Sequence, residues 1–274
     1  MLANYEICAV RYAHLERTAS HNFIGGDEHD GPMPLDYYVW TIQGPGVSFV
    51  LDTGFDAAMG AARGRQLVQP VEAGLAAVGV DHELVSDVII SHMHYDHAGN
   101  HQLFAGARYH LQSEEMAFCT GSAMCHSLMR SPYDARDVQA MVGKLFAGRV
   151  VYHNGFAELA PGITLHHIGG HTRGLQVVRV HTQRGWVVLA SDAAHFYANW
   201  LERRPFPIVD NVAAYLDAFA IIESLASSPQ HVIPGHDPQV LARYPKARAG
   251  LTNEVRVDLD PRSSGEAATV KRRG

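Results

Sequence analysis

Residues 91–99 read SHMHYDHAG, which places three histidines and one aspartate within six positions. This stretch directly follows the apolar run of residues 88–90, a pattern typical of a buried β-strand. Side chains alternate between the two sides of an extended chain, so His92 and His94 can face one ion together. Asp96 and His97 continue the turn and can face a second ion. The cluster therefore predicts a two-metal site at the end of a strand.

Three other apolar runs also end in a histidine or an aspartate. Residues 163–168 lead to His171, residues 186–190 lead to Asp192, and residues 232–235 lead to His236. Loops beyond strand ends are where layered α/β proteins gather functional groups. The seven candidates offer nitrogen and carboxylate oxygen but no sulfur, which suits zinc or a similar divalent ion. A bridging carboxylate would hold two such ions about 3.5–4 Å apart.

The rest of the composition excludes several classes of protein. The chain has 274 residues, enough to bury a core, and 47% of them are hydrophobic. A net charge of −6 provides no basic surface for nucleic acid, and no apolar run reaches the roughly 20 residues that span a membrane. The first residues, MLANYEICAVRYAH, contain Glu6 and Arg11 and favour a first β-strand over a signal peptide. We expect a cytoplasmic protein.

The order of elements predicts an α/β layered fold in one domain, residues 1–250. Strands at 37–43 and 47–51 flank the turn sequence GPG and form a predicted hairpin. Helices are predicted around 68–78 and 137–146, and a longer helix follows Asp210, which is the predicted N-cap. Residues 251–274 are polar and end in basic residues, so we expect a mobile tail.

Four motifs in this order resemble the metallo-β-lactamase superfamily: HMHYDH (92–97), GGHTRG (169–174), SDAAH (191–195) and PGHD (234–237). The resemblance implies an αββα sandwich with a dinuclear metal site at one edge of the sheets. It implies two zinc ions per chain, with iron, manganese or cobalt as alternatives. The implied ligands are His92, His94 and His171 for the first ion, Asp96, His97 and His236 for the second, and Asp192 as the bridge.

The sequence FVLDTGF contains Asp52-Thr53-Gly54, which is similar to the catalytic loop of aspartic proteases. Those enzymes need two such loops, and this chain has one. In the metallo-β-lactamase pattern this aspartate lies beneath the metals, so we expect Asp52 to orient a metal ligand. The alternative is a simple turn.

Within the superfamily the chain looks most like the N-acyl homoserine lactonases, the quorum-quenching enzymes. They too combine HxHxDH, a bridging aspartate in SDA and a GHD near the end in one domain. Several of them have a tyrosine three residues after the bridging aspartate, where this chain has His195.

This likeness implies that the substrate is a small lactone or ester and that the protein is a homodimer. The implied mechanism is attack on the lactone carbonyl by a hydroxide that the two metals share. His195 or Tyr197 would stabilise the oxyanion, and Asp96 would protonate the leaving oxygen.

Three alternatives stay open. In the first, the site serves another lactone or ester, because His195 replaces the family tyrosine. An iron-dependent oxidoreductase of the superfamily would bind a single iron, and a binding protein would keep the fold without turnover. A Met-rich region would line an acyl-chain pocket or simply pack a core; its residues are Met116, Phe118, Met124, Leu128 and Met129.

Overall fold

The strands of the protein carry mostly β-branched and aromatic residues, which suit a pleated and largely buried surface. The computed structural model describes residues 2–262, and they form two mixed β-sheets. The first sheet contains β1 (Glu6–Leu15), β2 (Leu35–Gly44), β3 (Val47–Leu51), β4 (Gln66–Leu67), β5 (Asp87–Ile89), β6 (Arg108–Gln112), β7 (Val150–His153) and β13 (Glu254–Arg256). The second contains β8 (Ala157–Ala160), β9 (Ile163–His167), β10 (Gln176–Thr182), β11 (Gly185–Ser191) and β12 (Val232–Pro234).

The first sheet runs in the order β13-β1-β2-β3-β5-β6-β7, with β4 paired to β1, and the second runs β12-β11-β10-β9-β8. Buried residues of both sheets belong to one hydrophobic core. The α-helices are α1 (Ala57–Ala62), α2 (Val71–Ala77), α3 (Tyr95–Ala98), α4 (Ser113–Cys119), α5 (Ser127–Arg130), α6 (Ala135–Phe146), α7 (Tyr197–Leu201), α8 (Val212–Leu225) and α9 (Gln239–Arg243). Helix α2 packs on β1 and α8 packs on β11, so the layers are those of the expected αββα sandwich.

The strand directions bring several loops to one edge of the sandwich. Strands β3, β5 and β6 are mutually parallel, so the loops after β3 and β5 leave the first sheet on the same side. Strands β11 and β12 are parallel in the second sheet. The two sheets are joined at this edge, where the Gln176 backbone N–H donates to the Ser91 carbonyl at 3.0 Å. The motif residues therefore lie at adjacent strand ends.

The predicted hairpin is confirmed, because β2 and β3 pair antiparallel from Trp40–Leu51 to Gly44–Val47. The predicted helices correspond to α2 and α6. The predicted N-cap is wrong by one residue: the Asn211 side chain accepts from the Ala214 N–H at 3.1 Å. The Asp210 carboxylate instead accepts from Arg173.

The predicted tail begins too early. Strand β13 pairs antiparallel with β1, and Val255 and Val257 are fully buried. These two valines alternate with polar residues, and that short pattern was hidden in a polar stretch. Residues 263–274 of the predicted tail lie outside the described residues. Among residues 2–262, no helix has both the length and the apolar content needed to cross a membrane.

Candidate metal centre

Three histidines and one carboxylate oxygen converge at the edge of the sandwich. His94 Nδ1 lies 2.9 Å from His92 Nε2 and 3.1 Å from His171 Nε2. Asp192 Oδ2 lies 3.1 Å from His171 Nε2 and 3.7 Å from His92 Nε2. Ligands about 2.0–2.1 Å from a tetrahedral zinc ion would be about 3.3–3.4 Å apart. The four atoms are therefore spaced as one tetrahedral site requires.

A second group of donors lies on the other side of Asp192. Asp192 Oδ1 is 3.0 Å from His236 Nε2 and 3.3 Å from His97 Nε2. Asp96 Oδ2 is 3.7 Å from His97 Nε2 and 4.0 Å from His236 Nε2. Each oxygen of the Asp192 carboxylate thus faces a different set of donors. That arrangement fits a carboxylate that bridges two ions.

Four of the five histidine rings have a hydrogen-bond partner on the nitrogen that faces away from the cluster. His97 Nδ1 donates to Asp52 Oδ2 at 2.7 Å, and His92 Nδ1 lies 3.1 Å from Ser91 Oγ. His171 Nδ1 donates to the Ile208 carbonyl at 2.7 Å, and His236 Nδ1 donates to the Asp36 carbonyl at 2.9 Å. When Nδ1 donates, the Nε2 lone pair of the neutral ring is free to bind a metal.

Asp52 contacts a candidate metal ligand from outside the cluster, as the sequence predicted. Its carboxylate accepts from the His97 ring, from the Ser91 N–H at 2.7 Å and from Ser91 Oγ at 2.8 Å. Its backbone lies in the left-handed region, with φ 62°. The DTG turn therefore carries a carboxylate that orients His97, and it is more than a simple turn.

The protonation of the cluster suits a metal. Burial and neighbouring histidines hold the pKa values of His92 and His94 well below the usual range, so both rings are neutral. Burial would lower the pKa of His97, but Asp192, Asp96 and Asp52 outweigh it and raise that pKa well above the usual range. His97 Nε2 is nevertheless buried without a hydrogen-bond partner. A metal ion would replace the proton on this atom and satisfy it.

Two glycines allow the loops to approach this closely. A Cβ on Gly235 would lie 2.7 Å from the Ser191 carbonyl oxygen, so glycine lets the loop before His236 contact the end of β11. A Cβ on Gly174 would lie 2.1 Å from the Glu115 backbone nitrogen. No real Cβ is found at such distances, so these two contacts require glycine.

Of the two residues predicted to stabilise an oxyanion, His195 lies within the cluster and Tyr197 lies outside it. His195 Nε2 lies 3.0 Å from Asp192 Oδ2, and its Nδ1 lies 3.3 Å from the Tyr215 hydroxyl. Burial and nearby histidines, which outweigh Asp192, lower the pKa of His195 to about 3, so the ring is neutral. With Asp192 and His236, His195 forms a third possible metal-holding group. Tyr197 does not reach the cluster, because its ring packs against Trp200 and Arg243.

Glu115 is a fully buried residue that the sequence did not single out as part of the site. Its Oε1 accepts from the Met93 N–H at 2.8 Å, and its Oε2 accepts from Thr172 Oγ1 at 2.7 Å and from the Gly174 N–H at 3.1 Å. One carboxylate thus ties the loop of His92 and His94 to the loop of His171. The sequence offers no signal for this, because Glu115 reads as an ordinary first-turn acid of a helix.

Two recesses adjoin the cluster. The first contains His94 and His171 and an apolar wall that includes Phe118, Leu128 and Met129 of the Met-rich region. Met116 is buried in the core, and Met124 lines a separate cavity. Only three of the five residues predicted for an acyl-chain pocket therefore line this recess. The second recess contains Asp96, Asp192, His195 and His236, and Arg17 and Arg65 lie at its wall.

Residues 33–261 match the family model of the metallo-beta-lactamase superfamily. The N-acyl homoserine lactonase AiiB of Agrobacterium fabrum is 30% identical over 191 residues, which are 65% of this chain and 66% of that protein. The chain spans between 60% and 66% of the length of the curated lactonases that it matches.

Solved structures share the fold. An N-acyl homoserine lactone hydrolase, with the product N-hexanoyl-L-homoserine bound at its catalytic metal center, superposes with a TM-score of 0.70 at 19% identity. The alignment covers 88% of this chain and 96% of that one. AidC, a dizinc quorum-quenching lactonase, superposes with a TM-score of 0.67 at 14% identity, over 87% of this chain and 89% of that one.

Proposed function

The chain belongs to the metallo-β-lactamase superfamily, and we propose that it is a dinuclear zinc hydrolase that opens the ring of N-acyl homoserine lactones. The named relatives that it matches are N-acyl homoserine lactonases, and this supports the choice of substrate. The proposal includes the seven ligands assigned from the sequence.

One observation carries the proposal. Asp192 directs Oδ2 toward His171 at 3.1 Å and Oδ1 toward His236 at 3.0 Å, so one carboxylate serves two separate donor sets. A site for a single ion would not need this arrangement. It therefore favours a two-metal hydrolase over an oxidoreductase with one iron.

Zinc suits the donors because each of the two groups offers four atoms, and all of them are imidazole nitrogens or carboxylate oxygens. When bound, two divalent ions would lower the pKa of a water molecule and polarise the substrate carbonyl. The protein's own contribution is to hold the ligands rigidly: His92, His97, His171 and His236 each have a fixed outer hydrogen bond. A rigid set needs little reorganisation during the reaction.

Asp96 is the residue best placed to move a proton. Its side chain is 12% exposed and lies at the recess, whereas the Asp192 side chain is 4% exposed and contacted by histidines. A carboxylate at the open side of the site can take a proton from the attacking water and pass it to the leaving ring oxygen.

His195 acts as a positioning residue in this scheme. Its Nε2 contacts Asp192 Oδ2 at 3.0 Å, and its ring stacks on Phe206 at a centroid distance of 3.6 Å. The stack fixes the His195 ring, and the ring in turn positions the bridging carboxylate. Tyr197 has no part in the scheme, because it packs away from the cluster.

The apolar recess beside His94 and His171 would take the acyl chain. Phe118, Leu128 and Met129 line it, and Leu128 is 81% exposed, so an apolar chain would cover surface that now faces water. This predicts a longer acyl chain to be preferred over a shorter one.

The test is hydrolysis of N-butanoyl and N-decanoyl homoserine lactone by the zinc-loaded protein, followed by acid release with a pH indicator. We expect turnover of both, with the higher kcat/KM for the decanoyl substrate. Asp192→Asn should lose turnover and metal, while Asp217→Asn, at an exposed position of α8, should keep both. An Asp192→Asn protein that is fully active without metal would overturn the proposal.

A further inference from the structure

Two arginines at the recess of the metal centre lack an anionic partner. Arg17 and Arg65 line it together with Asp96, Asp192, His195 and His236. Among residues 2–262, neither guanidinium takes part in an ion pair within 4.0 Å, although other arginines such as Arg11 and Arg256 do. Two half-buried cations side by side are unfavourable unless an anion joins them.

Arg17 is held over the site by an aromatic stack. Its guanidinium lies 5.2 Å from the Phe206 ring centroid, and the same ring stacks on His195 at 3.6 Å. One of its terminal nitrogens donates to the His21 carbonyl, while its Nε is buried without a hydrogen-bond partner. A buried donor left without an acceptor is costly. Arg17 therefore has hydrogen-bonding capacity that this chain does not use.

Arg65 lies on the side of the second donor group. Its Nε donates to the Tyr95 hydroxyl at 2.9 Å, and Tyr95 directly precedes Asp96. It also lies beside Tyr37, whose ring packs edge-on against His236 at 5.2 Å. These phenols are neutral at physiological pH and do not compensate the charge of Arg65.

From this placement we propose that Arg17 and Arg65 form an anion subsite that binds a carboxylate on the substrate, so that acidic lactones or esters are preferred. The guanidinium group matches a carboxylate in shape and can bind it through two parallel hydrogen bonds. The inference rests on the proposed hydrolase function and adds a second substrate class to the neutral N-acyl homoserine lactones: lactones or esters with a free carboxylate near the reacting carbonyl, which the same centre should cleave faster than their uncharged counterparts. A neutral acyl homoserine lactone would leave the subsite without its ligand.

The experiment compares two substrates that differ by one charge. Mono-4-nitrophenyl esters of succinic, glutaric and adipic acid are paired with the same esters whose free carboxylate is converted to a methylamide. For the best chain length, we expect the kcat/KM of the acid ester to exceed that of the matching methylamide ester more than tenfold. Arg17→Gln and Arg65→Gln should each lower that ratio about tenfold or more, since one hydrogen bond to a charged group has at least that effect.

The matched control is Arg108→Gln, which removes an equally charged group that is 59% exposed and paired with Asp87. It should leave the ratio unchanged. Ratios near one in the wild type, or ratios that survive in both recess variants, would overturn the proposal. Zinc content and thermal unfolding of each variant show whether it is folded.

A second measurement separates this inference from the hydrolase proposal. If no ester is cleaved, the dissociation constants of glutarate and its monoamide for the zinc-loaded protein are measured by calorimetry. Tighter binding of glutarate that is lost in Arg17→Gln and Arg65→Gln supports the subsite, although the hydrolase has failed. Equal binding of the two compounds would refute the subsite as well.

Discussion

Glu115→Gln is the substitution whose effect follows most directly from the structure. Glu115 is fully buried, and each carboxylate oxygen faces one backbone N–H, from Met93 on one side and from Gly174 on the other. Glutamine has one carbonyl oxygen and one NH₂ group. Whichever way the amide turns, one backbone donor then faces another donor.

The expected cost can be worked from that mismatch. A buried donor left unpaired destabilises a protein by about 1–3 kcal/mol, and the weakened bonds to Thr172 and Tyr133 add to it. We expect the free energy of unfolding of the metal-free protein to fall by about 1–3 kcal/mol. Since the two loops carry three ligands of the first group, zinc affinity should fall about tenfold.

Urea unfolding after chelation measures the first quantity, and competition with a chromophoric chelator measures the second. The control is Glu114→Gln, because Glu114 is the exposed neighbour on the same helix. Its unfolding free energy should stay within about 0.5 kcal/mol of the wild type. If Glu115→Gln behaves like Glu114→Gln in both assays, the carboxylate does not tie the loops together.

Three further predictions follow from other contacts. Gly174→Ala should prevent formation of the metal centre, since its Cβ would overlap the Glu115 backbone, whereas Gly143→Ala in α6, where nothing lies within 4 Å, should raise the unfolding free energy by about 0.5–1 kcal/mol. Thermal unfolding and zinc content of the pair check this, and a stable, zinc-binding Gly174→Ala protein would contradict it. Burial and the nearby Asp134 raise the pKa of Asp137 to about 7, so folding favours its protonated form. Relative to Asp137→Asn, the unfolding free energy of the wild type should therefore fall as the pH rises from about 4 to 7, and it should stay constant at higher pH. Urea unfolding across that range measures this difference, and the absence of a fall would refute the raised pKa of Asp137. Asp52→Ala should lower zinc affinity about 10- to 100-fold, because it removes the hydrogen bond that holds the His97 ring. Competition with the chelator measures this affinity, and an unchanged value would contradict the prediction.

The clustering of the candidate metal ligands could be predicted from the sequence because these residues lie at strand ends. An apolar run predicts a strand, and the histidine or aspartate that follows it must then lie at the edge of the sheet. His92, Asp192 and His236 all obey this rule. The structure brings these predicted ligands together, and it places Asp52 where the DTG pattern indicated.

Other residues reach the site through contacts that no local pattern encodes. Arg17 follows a strand and Arg65 precedes a two-residue strand, and neither stands beside a recognisable motif. Their position at the recess depends on how loops of the first sheet fold over the cluster. Tyr197 shows the converse: it lies two residues beyond His195 in the sequence, yet the turn into α7 directs its ring away from the cluster.

The tail was mispredicted for a related physical reason. Composition averaged over residues 251–274 is polar, but two valines in alternation are enough to add a short strand to the edge of a sheet. Pairing with β1 depends on the free edge of that strand, which only the folded sheet provides.

A zinc titration shows whether two metal ions together support lactone hydrolysis. Zinc is added stepwise to the metal-free protein while hydrolysis of N-decanoyl homoserine lactone is followed at each step. We expect the rate to reach its plateau at two equivalents of zinc per chain. A plateau at one equivalent, or no hydrolysis at two, would contradict it.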